Sequence, residues 1–285
     1  MKINAYAKIN LGLDVFGKRD DGYHEVRMVM QTIGVCDELV IDRTDEPGIH
    51  ITVNRSDLST GKDNLIHKAA ELMMDEYDLP GGIKVDLTKN IPIAAGLAGG
   101  STDAAAVMKA VNALYDLKLE TEELTKLGVK IGADIPYCII GGTALAEGIG
   151  EVLTKLSPCP EWSVLLAKPP AGVSTAYVYK NYRPEKATHP DIDAMIEGIE
   201  EGDYDKVTRC MGNALESVTS REVPAIADIE KVIAGQGGCP LMSGSGPTVF
   251  GLFRSEEDIN EAYEVLKEKD NVSDLFITRI VDGRA

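Results

Sequence analysis

Four groups of residues in this chain have the types and spacings of phosphoryl-transfer chemistry. The first is Lys8 with Asn10, two positions apart on an alternating segment. The second is the run Pro92-Ile93-Ala94-Ala95-Gly96-Leu97-Ala98-Gly99-Gly100-Ser101-Thr102-Asp103, which opens into an alanine-rich helix. The third is Asp134, just ahead of Ile135-Pro136, and the fourth is the turn Ser243-Gly244-Ser245-Gly246-Pro247. Glycines let successive N–H groups face inward, and a helix N-terminus adds free donors and partial positive charge. The run at 92–103 therefore reads as a phosphate cradle built from main chain. It is neither the P-loop, which needs a Lys-Ser/Thr pair after the glycines, nor a Gly-x-Gly-x-x-Gly dinucleotide loop.

Taken singly, each group has a plain reading. Lys8 would be a solvated strand lysine, Asp134 a turn cap before proline, and 243–247 a tight hairpin. Together they match what a phosphoryl-transfer site needs: donors around the β- and γ-phosphates, a cation against developing charge, and a carboxylate at the acceptor hydroxyl. A carboxylate suffices as the base because the hydroxyl proton leaves late in a loose transition state.

The elements that must position these groups are legible in part. Ile3, Ala5, Ala7, Ile9, Leu11, Leu13 and Val15 alternate with Lys2, Asn4, Tyr6, Lys8, Asn10 and Asp14, which predicts a strand with one buried face. Lys8 and Asn10 then point the same way, about 7 Å apart. Asp20-Asp21-Gly22 marks a turn, and strands are expected near 25–34, 38–43 and 50–54. Residues 63–77 have helical periodicity, with Asp63 or Asn64 as cap. Ile83, Val85 and Leu87 alternate as the strand that enters the glycine loop. After the loop's own helix, another helix is expected from Thr121 to about Ile131, stopped by Gly132, and then a strand over 137–147.

A composition break at Ser157-Pro158-Cys159-Pro160 divides an N-terminal domain, 1–157, from a C-terminal one, 158–285. The second reads as a strand (163–168), helices between 174 and 235, strands near 239–242 and 248–253, a helix (256–269) and a last strand (274–281). The fold class is α+β.

Bulk properties narrow the function. The chain has 285 residues and a formal net charge of −17, which argues against coating nucleic acid. An anionic ligand would need a local site of backbone donors and a lysine or two. Five scattered cysteines without Cys-x-x-Cys spacing point to reduced thiols, and no apolar stretch reaches the length of a membrane span. The N-terminus alternates and does not read as a signal peptide, so a cytoplasmic protein is expected.

AYAKINLGL at 5–13, PIAAGLAGGSTDAAA at 92–106 and GSGPTVFG at 244–251 resemble, in order, the three motifs of the GHMP small-molecule kinases. Asp21-Gly22-Tyr23-His24, Asp63-Asn64-Leu65-Ile66 and Gly132-Ala133-Asp134-Ile135-Pro136 resemble one branch of that family, whose acceptor is a cytidine-diphosphate-linked sugar alcohol. The resemblance spans nearly the whole chain. It implies an N-terminal domain like the second domain of ribosomal protein S5 and a C-terminal ferredoxin-like α/β sandwich. It further implies an ATP-dependent kinase, using Mg²⁺, that phosphorylates the acceptor's 2-hydroxyl in the non-mevalonate route to isoprenoid precursors. Lys8 and Asp134 match the catalytic pair, with Asp134 as base. Residues 92–102 match the ATP-phosphate loop, with Ser101 and Thr102 near the metal-bound phosphates, and Asn64 and Asn112 match positions lining the nucleotide pocket. Asn10, Tyr23, His24 and Tyr179 fall on the acceptor side, although core packing beside Tyr182 accounts for Tyr179 equally well. The metal ligands and the oligomeric state stay open. Ala94, Ala95 and Ala98 stand where some relatives have glycine, so their backbone is expected to be right-handed or extended. The alternatives are another kinase of this family, acting on homoserine, mevalonate or a sugar, or, from a different class, a nucleotide-binding regulator without catalysis or an RNA-binding module on the same N-terminal architecture, against which the acidic balance argues.

Overall fold

The computed structural model describes residues 1–283. β1 (Lys2–Lys18) and β2 (His24–Thr44) form a long antiparallel hairpin around the Asp20-Asp21-Gly22 turn. β3 (Gly48–Val53), α1 (Leu65–Glu76) and β4 (Gly82–Thr88) lead to the glycine loop. Beyond it lie α2 (Gly99–Leu114), α3 (Thr121–Gly128), α4 (Ile135–Ile140), β5 (Thr143–Glu147) and β6 (Val152–Lys155). The second half runs β7 (Ser163–Lys168), α5 (Thr175–Asn181), α6 (Ile192–Glu201), α7 (Tyr204–Cys210), β8 (Gly212–Asn213), α8 (Glu216–Glu222) and α9 (Ala225–Gly235). It closes with β9 (Cys239–Met242), β10 (Val249–Phe253), α10 (Glu256–Lys267) and β11 (Asp274–Arg279).

The first sheet runs β3-β4-β2-β1-β8, with β5 attached along the other part of β2 and β6 paired to β5. β2 can serve both because it is long: Glu38–Thr44 pair with β4, and Met28–Gln31 pair with β5. The second sheet is antiparallel, in the order β11-β7-β10-β9. α1 and α2 cover the first sheet, and the alanines of α2 (Ala104, Ala105, Ala106, Ala110) are buried, so that helix lies close against it. α9 and α10 cover the second sheet through Ile226, Ile229, Ile233, Ile259 and Leu266. Each such large side chain, fully buried, contributes about 1.5–3 kcal/mol. The two sheets meet where Ile33 bridges Ile280.

Three local expectations are corrected. β1 is buried on both faces from Ala7 to Val15, not on one, because its polar face lies beneath a cleft. Residues 135–140 are helical, and only Thr143–Glu147 is strand. Pro136 sits in the first turn of α4, where a missing N–H costs nothing, and a short buried apolar run cannot be assigned by periodicity. α3 stops at Gly128, where a Cβ would meet Ile135 Cγ2 at 2.8 Å, and Gly132 closes a turn back onto the Gly128 carbonyl. β8 had no sequence signal at all. Two residues long, it pairs in parallel with Gly12 and Leu13 and so ties the second half of the chain into the first sheet.

Candidate active site

A cleft of about 1520 Å³ runs between the glycine loop, the polar face of β1, the β1–β2 turn, α5 and the 244–246 turn. Both halves of the chain line it.

The loop between β4 and α2 is shaped by three left-handed residues. Gly96 has φ +75°, and Ala94 and Ala98 have φ +51° and +57°. The two alanines overturn the expectation of right-handed or extended backbone. An L-residue with a Cβ takes this region at a cost of about 1–2 kcal/mol, a strain that clusters at functional sites. At Ala98 it turns the chain into α2, which begins without a side-chain cap and without an acidic residue in its first turn. Thr102 N bonds to the Ala98 carbonyl at 2.9 Å, which leaves the N–H groups of Gly99, Gly100 and Ser101 without a partner among the described residues. Three unpartnered donors and the helix dipole thus open into the cleft, an arrangement that favours anionic oxygens.

Gly96 is where the two glycine turns meet. A Cβ there would overlap the Ser243 carbonyl oxygen and sit 3.0 Å from Gly246 N. The Gly96 carbonyl accepts from Lys8 Nζ at 2.8 Å and from Ser243 Oγ at 3.0 Å. Asn213, on β8, holds the second turn in place by donating to the carbonyls of Met242 (2.7 Å) and Gly244 (2.8 Å). The Lys8 ammonium also donates to Asn10 Oδ1 at 2.7 Å, so the strand periodicity placed that pair correctly. An ammonium has three donors. Two are taken by neutral oxygens, and one remains for a ligand. Burial pulls the Lys8 ammonium below its ordinary range, and the Asp134 carboxylate pulls it back up.

Asp134 ends the α3–α4 connection. It stands at the N-cap position of α4 but its side chain caps nothing, and its carboxylate makes no hydrogen bond or ion pair among the described residues. It lines the cleft with Lys8. The turn-cap reading of Asp134 therefore fails, which leaves the carboxylate available for chemistry.

At the other end, Tyr23 lines the cleft with 59% of its surface exposed, more than turn packing would leave for an aromatic ring. His24 lies against Tyr179, ring centroids 5.5 Å apart, and edge-on to Tyr182 at 6.2 Å. Burial, and then Lys18, lower the His24 pKa, so its imidazole is neutral at physiological pH. Tyr179 on α5 and Tyr182 just past its end both border the cleft, and both pack against the core beneath; the Tyr182 hydroxyl is held by the Val15 carbonyl, to which it donates at 2.8 Å. Burial, with Asp134 nearby, pushes the Tyr179 hydroxyl up, so it stays protonated.

Residues 92–101, Asn64, Lys8, Asn10, Tyr23, His24, Asp134 and Tyr179 are thus gathered around one cavity. Two expected members are not. Asn112 lies near the far end of α2, where its amide bonds both the N–H and the carbonyl of Leu119 at 3.0 Å and so fixes the helix exit. Thr102 is a buried residue of α2 and does not line the cleft. Helix phase explains this: Ser101 and Thr102 diverge by about 100° on a helix of 3.6 residues per turn. Asn64 caps α1, accepting from Ile66 N at 2.8 Å, and borders the cleft. The structure adds Lys18, Lys89, Lys180 and Arg183 to the lining. No periodicity marks them, and only their convergence in an acidic chain singles them out.

Comparison with known proteins agrees with this geometry. Residues 64–142 match the model of the GHMP kinases N terminal domain, and residues 195–271 match that of the GHMP kinases C terminal. The chain is 48% identical over 280 residues to the 4-diphosphocytidyl-2-C-methyl-D-erythritol kinase of Lachnospira eligens, covering 98% of this chain and 97% of that protein. It is 44% identical over 285 residues to the enzyme of the same name from Clostridium perfringens, covering 99% of each. A crystal structure of 4-(cytidine 5'-diphospho)-2C-methyl-D-erythritol kinase superposes with a TM-score of 0.84 at 32% identity, covering 98% of this chain and 99% of that one. The homoserine kinase of Cytophaga hutchinsonii superposes with a TM-score of 0.79 at 20% identity over 99% of this chain and 95% of its own, a likeness of fold. With both family domains matched and full-length relatives at 44–48% identity, the chain belongs to the GHMP kinases, in the group of the 4-diphosphocytidyl-2-C-methyl-D-erythritol kinases.

Proposed function

We propose that this protein transfers the γ-phosphoryl group of ATP to the 2-hydroxyl of 4-(cytidine 5'-diphospho)-2-C-methyl-D-erythritol, with Asp134 as base and Lys8 as the cation at the reacting oxygens. The observation that carries this reading is the cleft's polarity. Unpartnered helix donors stand at one end, aromatic rings and cations at the other, and Lys8 and Asp134 line the space they share.

The N–H groups of Gly99, Gly100 and Ser101 bind the donor's phosphate oxygens, while the Gly96 hinge keeps the loop against the 243–247 turn. Tyr23 and Tyr179 offer ring faces to the cytosine, and neutral His24 can donate or accept at its edge. Lys18, Lys180 and Arg183 supply positive charge for the acceptor's diphosphate, which a chain of net charge −17 would otherwise repel. The acceptor oxygen bonds to Pγ as the bond from Pγ to the bridging oxygen of ADP breaks, and Asp134 takes the hydroxyl proton. Lys8, pinned by Asn10 and Gly96, directs its third N–H at the charge that develops.

The donor set suits a magnesium ion delivered with the nucleotide. No group of three acidic, histidine or cysteine residues forms a metal cage among the described residues, whereas the Ser101 hydroxyl and the Asp134 carboxylate line the cleft. Ser101 and Asp134 would offer the ion protein oxygens, and its charge would offset that of the donor's phosphates.

The test is ADP release with ATP and Mg²⁺ in the presence of each candidate acceptor. Turnover with the cytidine-diphosphate-linked alcohol, and none with homoserine or mevalonate, is the expected result. The reverse pattern would overturn the acceptor, and no turnover with any of them would overturn the kinase reading.

A further inference from the structure

Beneath the glycine loop lie three buried charges for which the proposed reaction has no use. Asp37 on β2, Lys89 just past β4 and Asp103 in α2 are 0–3% exposed at their side chains. Lys89 Nζ donates to Asp37 Oδ2 and, at 2.6 Å, to Asp103 Oδ2. The other oxygen of Asp37 accepts from Asn90 N at 2.6 Å and Ile91 N at 2.8 Å. Asp103 Oδ1 is buried without a hydrogen-bond partner among the described residues.

The connectivity is what matters. Lys89, Asn90 and Ile91 form the entrance of the loop, and Asp103 lies one turn into the helix that forms its exit. Asp37 holds the entrance by three bonds, and Lys89 reaches across to the exit. Gly99 leaves room for this, since a Cβ there would come within 3.0 Å of Lys89 Nζ.

Buried ion pairs are poor stabilisers, and two carboxylates sharing one ammonium leave a surplus negative charge. Burial pushes the Asp103 carboxyl well above the usual range, against the pull of Lys89. Apolar side chains of like volume would hold a core together at less cost. They would not fix the two ends of a loop at a set distance.

We infer that Asp37, Lys89 and Asp103 are positioning residues for the phosphate donor, a clamp that sets the spacing of the N–H groups the loop presents. The inference rests on the proposed role of the loop as the ATP-phosphate site. Asp37 does not line the cleft, so it acts only through Lys89 and the backbone it holds.

The experiment measures KM for ATP and for the acceptor separately, in wild type, Lys89→Met and Asp37→Asn. Lys89→Met cuts the link between entrance and exit. A misplacement of about 1 Å at a reacting centre costs roughly 100-fold, so KM for ATP is expected to rise by about 10–100-fold while KM for the acceptor stays unchanged. Asp37→Asn is near-isosteric, folds where Lys89→Met fails, and leaves the Lys89 charge in place. It should also raise KM for ATP alone. An unchanged or lowered KM for ATP in Asp37→Asn overturns the clamp, because a lysine that bound phosphate directly would be freed by that change. An equal rise in both KM values overturns it too, as the mark of general loosening. If wild type itself binds no ATP, the loop's assigned role has failed rather than the clamp.

Discussion

Replacing Gly96 by alanine puts one methyl group where the two glycine turns touch. The new carbon overlaps the Ser243 carbonyl oxygen, and both partners are backbone, so no side chain can swing aside. The turns must separate by about 1 Å before carbon and oxygen reach ordinary contact. At φ +75° alanine also bears a left-handed penalty of about 1–2 kcal/mol. The separation stretches the bond from Lys8 Nζ to the Gly96 carbonyl, worth about 1.5–3 kcal/mol as a charge-assisted bond, and the Ser243 Oγ bond, worth about 0.5–1.5 kcal/mol. The sum, about 3–6.5 kcal/mol, is a large share of the roughly 5–15 kcal/mol that holds a native chain together. Where the variant folds, Lys8 has lost one of its two anchors, and kcat should fall by roughly 100-fold. Thermal unfolding followed by circular dichroism reads the first effect, and steady-state ADP release reads the second. A Gly96→Ala protein with wild-type melting temperature and kcat would refute the reasoning, because it would mean that the contact at Gly96 constrains neither the turns nor Lys8.

Three further outcomes follow from the same geometry. Asp134→Asn should keep ATP binding and thermal stability, since the carboxylate has no hydrogen bond to lose, yet lose about 10²–10⁴ in kcat; near-normal turnover would remove Asp134 as the base. Ala98→Gly should relieve the left-handed strain and raise the melting temperature by about 1–3 °C, the strain being partly offset by the entropy of a glycine in the unfolded chain; a lower melting temperature would contradict it. Burial, then the Glu216 carboxylate, push the Glu230 carboxyl up to about 8 from its ordinary 4.5. Between those values the folded chain holds a proton that the unfolded chain does not, so this group's contribution to stability is lost as pH rises through the window. Melting temperature should therefore decline from about pH 5 to about pH 8, and less steeply in Glu230→Gln; an identical slope in that variant would clear Glu230 of the effect.

Much of the site was legible because its signals are local. Alternation along residues 3–15 put Lys8 and Asn10 on one face, and they do share a bond. Glycine and alanine density marked the loop at 92–102, and α2 does start there without a side-chain cap. The order of six short motifs along the chain identified the family before any coordinates. What sequence could not supply were facts of phase and convergence. Adjacent residues on a helix face different ways, so Ser101 reaches the cleft and Thr102 does not. Asn112 has the right residue type, but α2 carries it away from the loop and spends its amide on Leu119. Ala94 and Ala98 turn left-handed because tertiary contacts override the local preference of alanine. The clamp of Asp37, Lys89 and Asp103 joins a strand, a strand end and a helix separated by 52 and 14 residues along the chain. Sequence thus determined which chemistry the chain can do, since that depends on residue type and near-neighbour spacing. Tertiary structure decided which residues line one cleft together, because only folding brings distant side chains within the few ångströms over which hydrogen bonds and charges act.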